Sequence, residues 1–349
     1  MDAPALQYAT TPDGFSLAYT VCGEGRSLVF LPHPSCHTHL YWRSRNIFSL
    51  LYQHLAARFR LICYDGRGQG SSTRGLPDSY RIDDQLTDLE TVVERTGLQD
   101  LTLLSQHSSA LPALKYAADH PDRVRALVLW NAHTGRPELD GWEVAQMEAL
   151  PASNWDLYID VMARSGWFKE DPELAKYFLR ESMTQADTLL FLRAHRQYEL
   201  SDVLGRVRSP TLLLASSGRF NPYANENASR YIASQIEGAR VEVFDDHGAG
   251  LFTLDSEPPP GISIIEEFVE GAVRGSAPLA STTSSINGLS PREIEVLRLL
   301  AVGGSNQQIA AELMISVRTV ERHINHVYEK IGVANRAGAA TYAARSGLT

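Results

Sequence analysis

Short apolar runs alternate with helical patterns along most of this chain of 349 residues, and this alternation limits it to few folds. Each run is four or five residues long, which is typical of strands buried on both faces of a parallel sheet. Helical patterns such as Asp83–Thr96 and Ala110–His120 lie between the runs. We therefore predict an α/β fold built on a doubly wound parallel sheet. The six runs are Leu28–Leu31, Leu61–Tyr64, Leu101–Leu104, Ala126–Trp130, Thr211–Ala215 and Val241–Phe244.

The stretch from residue 133 to residue 208 interrupts the alternation. It is helical in pattern and dense in aromatic residues. We predict that it forms a helical lid over the edge at which the strands end. Aromatic residues in such a segment more often belong to a core, but a lid over a crevice also needs some rings that face the cavity.

A small and polar segment, residues 271–288, divides the chain. It reads GAVRGSAPLASTTSSING and has no hydrophobic period, which is the composition of a flexible linker. Residues 1–287 carry a net charge of −11, whereas residues 288–349 carry +2. We therefore predict an acidic domain over residues 1–270 and a small basic domain over residues 289–349, and such a split suggests two different tasks.

Composition excludes several classes of protein. The three cysteines, Cys22, Cys36 and Cys63, are too few and too scattered for a disulfide framework, and they fit a reducing compartment. The histidine spacing matches no common zinc pattern, so we expect no metal or cofactor. No run approaches the roughly 18 apolar residues that a membrane span requires, and the acidic start is unlike a signal peptide. We predict a cytoplasmic protein without a membrane partner.

Four segments of the large domain, in this order, resemble the α/β-hydrolase superfamily. The resemblance extends over about 270 residues and implies an α/β-hydrolase-like sheet with a helical lid. The segments are LVFLPHP (28–34), DGRGQGSS (65–72), LLSQHSSALPALKYAADHPDRVRALVLWNA (103–132) and DDHGAGLF (245–252).

The elbow of the family lacks its nucleophile here. A serine hydrolase needs a Ser at the apex of a strained turn between a strand and a helix, within the pattern G-x-S-x-G. The resemblance aligns residues 105–109, SQHSS, with that elbow and His107 with the nucleophile. Neither glycine is present, which makes a tight turn harder to form. Ser108 and Ser109 are alternative nucleophiles, but a residue beside the apex directs its hydroxyl into the helix or the sheet.

Other catalytic positions are also replaced. Pro34 aligns with the first donor of the oxyanion hole, and proline has no N–H to donate. Phe220 or Asn221 stands at the place of the acid. The family histidine aligns with Ala249, although a shift of two residues would bring in His247. We therefore expect that the large domain is not an enzyme.

A crevice without catalytic groups suits the binding of a small molecule. The predicted ligand is mostly apolar and aromatic, held by a few hydrogen bonds. Because imidazoles titrate near neutral pH, an anionic head group such as a carboxylate or phenolate is an additional expectation. The residues predicted to bind the ligand are His33, Pro34, His37, His107, Ser108, Trp142, Trp155, Tyr158, Asn221 and His247.

The small domain reads as four helices. Ser290 is the predicted cap of the first helix, Ser305 or Asn306 of the second, and Ser316 of the third, while Asn335–Arg345 forms the fourth. The second and third helices have the spacing of a helix-turn-helix, in which the second element enters the major groove of DNA.

The same segment closely resembles the LuxR/FixJ-type helix-turn-helix family. Matching positions include Leu289, Glu293, Gly303, Ile309, Val320, His323 and Lys330. The exposed face of the third helix is predicted to meet DNA, and the fourth helix occupies the position of the family's dimer contact. The resemblance implies base reading by Glu321, Arg322 and Asn325, and phosphate contacts by Thr319, Lys330 and Arg336; Arg318 lies on the same exposed face.

These features together predict a ligand-responsive transcriptional regulator. Its expected partners are promoter DNA, a small-molecule effector and a second copy in a homodimer, with RNA polymerase as a further candidate. Two alternatives stay open. The large domain is an active serine esterase or C–C bond hydrolase with a regulatory DNA-binding appendage, or it only dimerises a constitutive DNA-binding protein.

Overall fold

The structure, a computed structural model, separates into two compact units, Met1–Pro278 and Leu279–Thr349. The division falls inside the segment predicted to be a linker. The residues that the structure describes are 3–33, 36–44, 47–132, 134, 149–165, 171–198, 200–217, 226–245, 259–273, 291–312, 317–333 and 335–345.

The first unit is built on a sheet of eight strands in the order β1-β2-β4-β3-β5-β6-β7-β8. Strands β3 to β8 pair in parallel; β4 to β8 each contain one of the six apolar runs, and β3 contains all of its run except Leu31. The strands are β1 (Gln7–Thr10), β2 (Ser16–Cys22), β3 (Ser27–Phe30), β4 (Arg60–Tyr64), β5 (Leu101–Gln106), β6 (Val124–Trp130), β7 (Thr211–Ser217) and β8 (Arg240–Asp245).

The sheet also has an antiparallel edge, which the sequence analysis did not predict. Strands β1 and β2 form an antiparallel pair, and β2 also runs antiparallel to β4. Strand β1 exposes three of its four residues, because nothing pairs with it on one side among the described residues. A short edge strand with this mostly exposed pattern has no continuous apolar run, so its residues carry no local signal of a strand.

Apolar layers cover both faces of the sheet. Val29, Ile62 and Leu103 pack into one layer, while their neighbours along the strands, such as Leu28 and Leu104, pack into the other. Because successive side chains of a strand point to opposite faces, burial on both sides requires the continuous apolar runs seen in the sequence.

Helices surround this sheet. Those outside the lid range are α1 (Thr38–Arg43), α2 (Ile47–Ala56), α3 (Ile82–Arg95), α4 (Ala110–Asp119), α9 (Glu226–Gln235) and α10 (Pro260–Val273). Within the predicted lid range lie α5 (Trp155–Ser165), α6 (Pro172–Ser182), α7 (Gln185–Arg196) and α8 (Ser201–Leu204). None of these helices, nor any other in the described residues, is long and apolar enough to cross a lipid bilayer.

The second unit contains four described helices around a small core of its own. They are α11 (Pro291–Ala301), α12 (Asn306–Glu312), α13 (Val317–Ile331) and α14 (Arg336–Arg345). The core consists of Val296, Leu297, Leu300, Ile309, Ala310, Val320, Ile324, Val327, Ala339 and Ala343.

Local capping explains where two of these helices begin. Ser305 Oγ accepts a hydrogen bond from the Gln308 backbone N–H at 3.3 Å, and Gln308 Oε1 accepts one from the Ser305 N–H at 2.8 Å. This reciprocal pair is a capping box, so Ser305 and not Asn306 caps α12. Asn335 Oδ1 accepts a hydrogen bond from the Gly338 N–H at 2.9 Å and caps α14.

Candidate ligand crevice and nucleic-acid interface

His107 occupies the apex of the turn between β5 and α4. Its backbone has a φ of +51°, in the left-handed region that non-glycine residues rarely adopt. A short 3₁₀ turn, His107–Ser109, leads from the strand into the helix. The strained geometry of the elbow is therefore present without either glycine, although we had expected such a turn to be harder to form.

The hydroxyl of Ser109 is engaged with the backbone of the same turn. Ser109 Oγ donates to the Gln106 carbonyl oxygen at 2.8 Å and accepts from the Gln106 N–H at 2.9 Å. The side chain of Ser109 is fully buried. As an alternative nucleophile, Ser109 is thus directed into the turn and helps to hold His107 at its apex.

His33 and His107 lie on the same edge of the sheet. Strands β3 and β5 pair in parallel with Phe30 opposite Leu104, and the Leu31 N–H donates to the Leu104 carbonyl oxygen at 2.9 Å. Each histidine follows its member of this pair by three residues. This register places both histidines after the carboxyl ends of neighbouring strands, and their shared role in binding a ligand stays a prediction.

Burial disfavours the protonated form of two histidines at this edge. Removal from water lowers the pKa of His33 to about 4, so its imidazole is neutral at pH 7. Burial also lowers the pKa of His37, partly opposed by the nearby Asp65 carboxylate. His33 therefore supplies no positive charge for an anionic head group, because desolvation disfavours its protonated form, and an anionic head group held by the other histidines stays a prediction.

Asp65, at the end of β4, holds the start of α1 in place. Its Oδ1 accepts from the Thr38 N–H at 2.7 Å, its Oδ2 accepts from the Ser71 N–H at 2.9 Å, and Oδ2 lies 4.0 Å from His37 Nδ1. Gly70 has a φ of +45°, and a Cβ there would lie 2.1 Å from Asp65 Oδ2. The segment DGRGQGSS supports the resemblance to hydrolases in the sequence, but its pattern does not reveal that Asp65 positions α1.

Arg67, in the same segment, is buried among carboxylates. Its guanidinium contacts Asp88 at 2.8 Å, Asp13 at 2.6 Å and Asp84 at 3.4 Å. Burial raises the pKa of Asp88 to about 6, although Arg67 opposes that shift. This network ties the loop after β4 to α3 and to the hairpin of β1 and β2.

Asn131 is a further residue of this edge that sequence reasoning missed. It follows β6, is buried and has a φ of +46°. Its Oδ1 accepts from the Ser216 N–H at 2.7 Å, and its Nδ2 donates to Ser216 Oγ at 3.1 Å. Because Asn tolerates the left-handed region better than most residues, it suits this tie between the ends of β6 and β7.

The structure describes only some of the predicted ligand-binding residues. Trp155 and Tyr158 lie on α5, and their rings stack with centroids 5.3 Å apart. Tyr158 is buried and Trp155 half-buried. Ser108 is half-buried in the turn beside His107. Pro34, Trp142, Asn221 and His247 lie outside the described residues, as do Phe220 and Ala249, so their predicted roles stay predictions.

In the second unit, α13 has one buried and one exposed face. Val320, Ile324 and Val327 are buried, whereas Glu321 and Asn325 are exposed. The exposed pair lies on the side predicted to read DNA bases. The side chains of Arg318, Thr319 and Arg322 lie outside the described part of the structure, and their DNA contacts stay predictions.

Two residues predicted to contact phosphate have partners within the unit. Lys330 Nζ lies 2.6 Å from the buried carboxylate of Glu293, and His326 Nδ1 lies 3.8 Å from the same group. Arg336 donates to the Gly304 carbonyl oxygen and to Asn306 Oδ1. Both residues thus connect helices of the unit, and phosphate contact remains a prediction for them.

A metal centre is not formed by the described residues, since no cluster of three His, Cys, Asp or Glu side chains among them has suitable geometry. The structure thus offers two candidate sites. One is the sheet edge with His107 at the turn between β5 and α4, and the other is the helix-turn-helix of the second unit.

Comparison with protein families agrees with both units. The family described as "alpha/beta hydrolase fold" matches residues 28–255, and the family of bacterial regulatory proteins of the luxR type matches residues 287–343. The chain therefore belongs to the alpha/beta hydrolase fold family and carries a LuxR-type DNA-binding regulator domain.

Known proteins resemble each unit separately. An enol-lactonase from Burkholderia xenovorans LB400 covers 76% of this chain and 100% of its own, with a TM-score of 0.61 and 18% identity. An esterase from Exiguobacterium antarcticum covers 76% of this chain and 99% of its own, with a TM-score of 0.62 and 21% identity. These identities show the fold alone.

The oxygen regulatory protein NreC of Staphylococcus aureus is 37% identical to this chain over 86 residues. The match covers 25% of this chain and 38% of NreC, so the chain spans well under half the length of that relative.

Proposed function

We propose that this protein is a transcriptional regulator whose hydrolase-fold unit binds a small molecule without hydrolysing it, and whose helix-turn-helix unit binds promoter DNA. It acts in the cytoplasm as a homodimer, and RNA polymerase is a further partner. Ligand binding changes regulation only if the ligand has different affinities for two states of the protein.

The observation that supports this proposal best is the imidazole at the elbow. The backbone of His107 keeps the left-handed conformation that projects a side chain into the crevice, while the hydroxyl required for attack on an ester is missing at that position. The neighbouring Ser109 hydroxyl is held by Gln106 and is buried. A turn of the kind that carries the nucleophile in hydrolases thus carries a side chain suited to hydrogen bonding here.

The ligand is small, mostly apolar and aromatic. The neutral imidazole of His33 and the stacked rings of Trp155 and Tyr158 support a molecule with an aromatic body and an uncharged polar group. A neutral imidazole can donate or accept a hydrogen bond, which suits a hydroxyl or a carbonyl better than a carboxylate.

The DNA-binding role draws support from the matched regulatory domain and from NreC, whose description is oxygen regulatory protein. The charge of +2 over residues 288–349 is small for a DNA-binding domain. Binding by two copies to a two-fold site compensates for weak attraction of a single copy.

The test combines selection of DNA with a screen for ligands. Full-length protein selects its site from random DNA, and thermal unfolding then screens aromatic metabolites for stabilisation. We expect a selected two-fold site and an effector that changes affinity for it. His107→Phe should remove the effector response and keep DNA binding, whereas His54→Phe, on α2, should leave both unchanged.

Hydrolysis provides the opposing outcome. p-Nitrophenyl esters and a serine-reactive phosphonate are incubated with the full-length protein, and mass spectrometry detects any adduct. An adduct on one serine, with ester turnover abolished by replacement of that serine, would contradict the proposal and establish the esterase alternative.

A further inference from the structure

Two basic side chains of α13 share one carboxylate of α11. The side chain of Glu293 is 5% exposed, and its Oε2 lies 2.6 Å from Lys330 Nζ while its Oε1 lies 3.8 Å from His326 Nδ1. His326 and Lys330 are four residues apart, so they are neighbours on one side of the helix. Their side chains are 52% and 40% exposed. Both basic groups can therefore be reached from solvent, whereas the carboxylate that holds them is buried.

His326 lies between a residue predicted to read bases and a residue predicted to contact phosphate. Arg322 precedes it by four residues and Lys330 follows it by four, so the three positions form one row along α13. This row leads from the predicted base contacts to the predicted phosphate contacts. His326 itself belongs to neither set.

The charge of the cluster depends on the proton of His326. The Glu293 carboxylate and the Lys330 ammonium cancel, so the cluster with a neutral imidazole has no net charge to attract a phosphate. A protonated imidazole gives it a single net positive charge. Because imidazoles titrate near neutral pH, a bound phosphate can draw this proton from solvent under ordinary conditions.

Other charged or titratable groups lie on α13 and on the helices packed against it. Among the described side chains, Glu293 is the carboxylate at ion-pair distance from His326. The other described groups are Glu295 and Arg298 on α11, Glu312 on α12, His323 on α13 and Arg336 on α14, which is bonded to Gly304 and Asn306. The side chains of Arg292, Arg322, Glu329 and Arg345 lie outside the described part of the structure.

We propose that His326 is a further phosphate contact of the DNA-binding unit and takes up a proton when DNA binds. Its Nδ1 faces Glu293, which leaves Nε2 to donate to a phosphate oxygen. Since the bound state holds the additional proton, DNA binding becomes tighter as the pH falls. This inference rests on the proposed DNA-binding function and adds a dependence on pH to it.

The test measures binding of the full-length protein to labelled DNA at pH 6, 7 and 8. Fluorescence anisotropy at one fixed salt concentration compares a duplex of random sequence with the selected two-fold site. Wild type should bind both duplexes about tenfold more tightly at pH 6 than at pH 8, because a phosphate contact does not depend on the base sequence.

Variants assign the pH dependence to His326. His326→Gln keeps a hydrogen-bond donor but cannot gain a charge, so it should bind at pH 6 about as weakly as wild type binds at pH 8. His326→Lys carries its charge throughout and should bind with nearly equal affinity at pH 6 and pH 8. At pH 6, His326→Gln should also lower the slope of log affinity against log salt by about one per copy. The control is His54→Gln, on α2 of the first unit, which should keep the pH dependence of wild type.

Two results would overturn the inference while the DNA-binding function stands. One is a pH dependence of His326→Gln equal to that of wild type, and the other is equal affinity of wild type at pH 6 and pH 8. Failure of wild type to bind either duplex at any of the three pH values would instead contradict the proposed function, and this inference with it.

Discussion

The carboxylate of Asp187 in lid helix α7 accepts a hydrogen bond of 2.7 Å from the backbone N–H of Leu76, in the loop that follows β4. The same carboxylate accepts from the Gly75 N–H at 3.3 Å and from Thr184 Oγ at 2.9 Å. Nearby, the Gly70 N–H donates to the Ser182 carbonyl oxygen at 2.8 Å. The lid is thus attached to the core through backbone groups, and the buried N–H groups of Gly70 and Leu76 would otherwise have no acceptor.

Replacement of Asp187 should loosen this attachment. Asp187→Ala removes three hydrogen bonds and leaves the buried Leu76 backbone N–H without its acceptor, so we expect the free energy of unfolding to fall by about 3 kcal/mol. Urea unfolding followed by tryptophan fluorescence measures this, since all five tryptophans lie within residues 1–287. Asp202→Ala, at an exposed position of α8, is the control. An equal loss in both variants would show that the contacts of Asp187 contribute nothing specific.

The backbone at His107 makes glycine preferable to alanine there. The left-handed conformation costs a non-glycine residue about 1–2 kcal/mol. His107→Gly and His107→Ala both lose the imidazole, so their difference isolates the backbone. We expect the glycine variant to be the more stable by about 1 kcal/mol.

The control for this comparison is Ala113→Gly in α4. There, a helical backbone should make glycine less stable than alanine by about 1 kcal/mol. Urea unfolding of all three variants measures both differences. If the alanine variant at position 107 proved as stable as the glycine variant, the elbow would not be strained in solution.

Protonation of His33 should reduce stability in mildly acidic solution. The pKa of His33 is about 4 in the folded protein and about 6.5 when unfolded, so the unfolded state binds the proton first as the pH falls. Stability is therefore lost as the pH decreases from about 6.5 to 4. The raised pKa of Asp88, about 6, acts in the opposite direction because the folded state takes up that proton first.

Comparing the pH dependence of stability in His33→Gln and in wild type separates the contribution of His33 from that of Asp88. His33→Gln should lose less stability than wild type between pH 7 and pH 5, by about 2 kcal/mol. Phe48→Leu, which alters a ring in contact with His33, should lower stability by a similar amount at both pH values. Urea midpoints at the two pH values provide the measurement, and identical pH dependence of His33→Gln and wild type would contradict the assignment.

The ion pair between Lys330 and Glu293 should stabilise the helix-turn-helix unit. Lys330→Met keeps much of the side-chain volume but leaves the buried Glu293 carboxylate without its closest cation, at a cost of about 1–3 kcal/mol. Hydrogen exchange of the full-length protein, read by mass spectrometry over α11 and α13, reports the loss. Arg298→Met, at an exposed position of α11, should leave protection unchanged, and equal protection in both variants would argue against the role of the pair.

Glu321 should weaken binding to DNA of any sequence and strengthen the preference for cytosine at one position of the site. Glu321→Gln removes a negative charge from the exposed face of α13, so binding to random DNA should tighten several-fold, while preference for cytosine at one position per half-site should disappear. Fluorescence anisotropy at one fixed salt concentration measures both effects. Glu312→Gln makes the same change of charge on α12 and should leave the base preference intact; loss of preference in that variant as well would remove the assignment to Glu321.

Much of the fold was predictable because its signals are local. The six apolar runs correspond to β3–β8, and the apolar row of α13 was evident from spacing alone, whereas the choice of Ser305 over Asn306 as the cap of α12 needed the structure. Strands β1 and β2 were not predicted, because their own residues lack a clear strand pattern. They are strands because they pair with neighbouring strands, β1 with β2 and β2 with β4. The elbow was located by resemblance. Only the structure showed that the backbone of His107 is left-handed and that hydrogen bonds between Ser109 and Gln106 hold the turn.

The sequence by itself determined the alternation that defines the sheet, the separation into an acidic and a basic part, and the four helices of the DNA-binding unit. Periodicity and capping depend on residues close together in the chain, so they can be recognised in the sequence without knowledge of the tertiary structure. Tertiary structure alone decided that His33 is neutral, that Asp65 and Asn131 tie the sheet edge, and that Lys330 meets Glu293. Desolvation and pairing depend on segments far apart in the chain, which only the folded arrangement brings together.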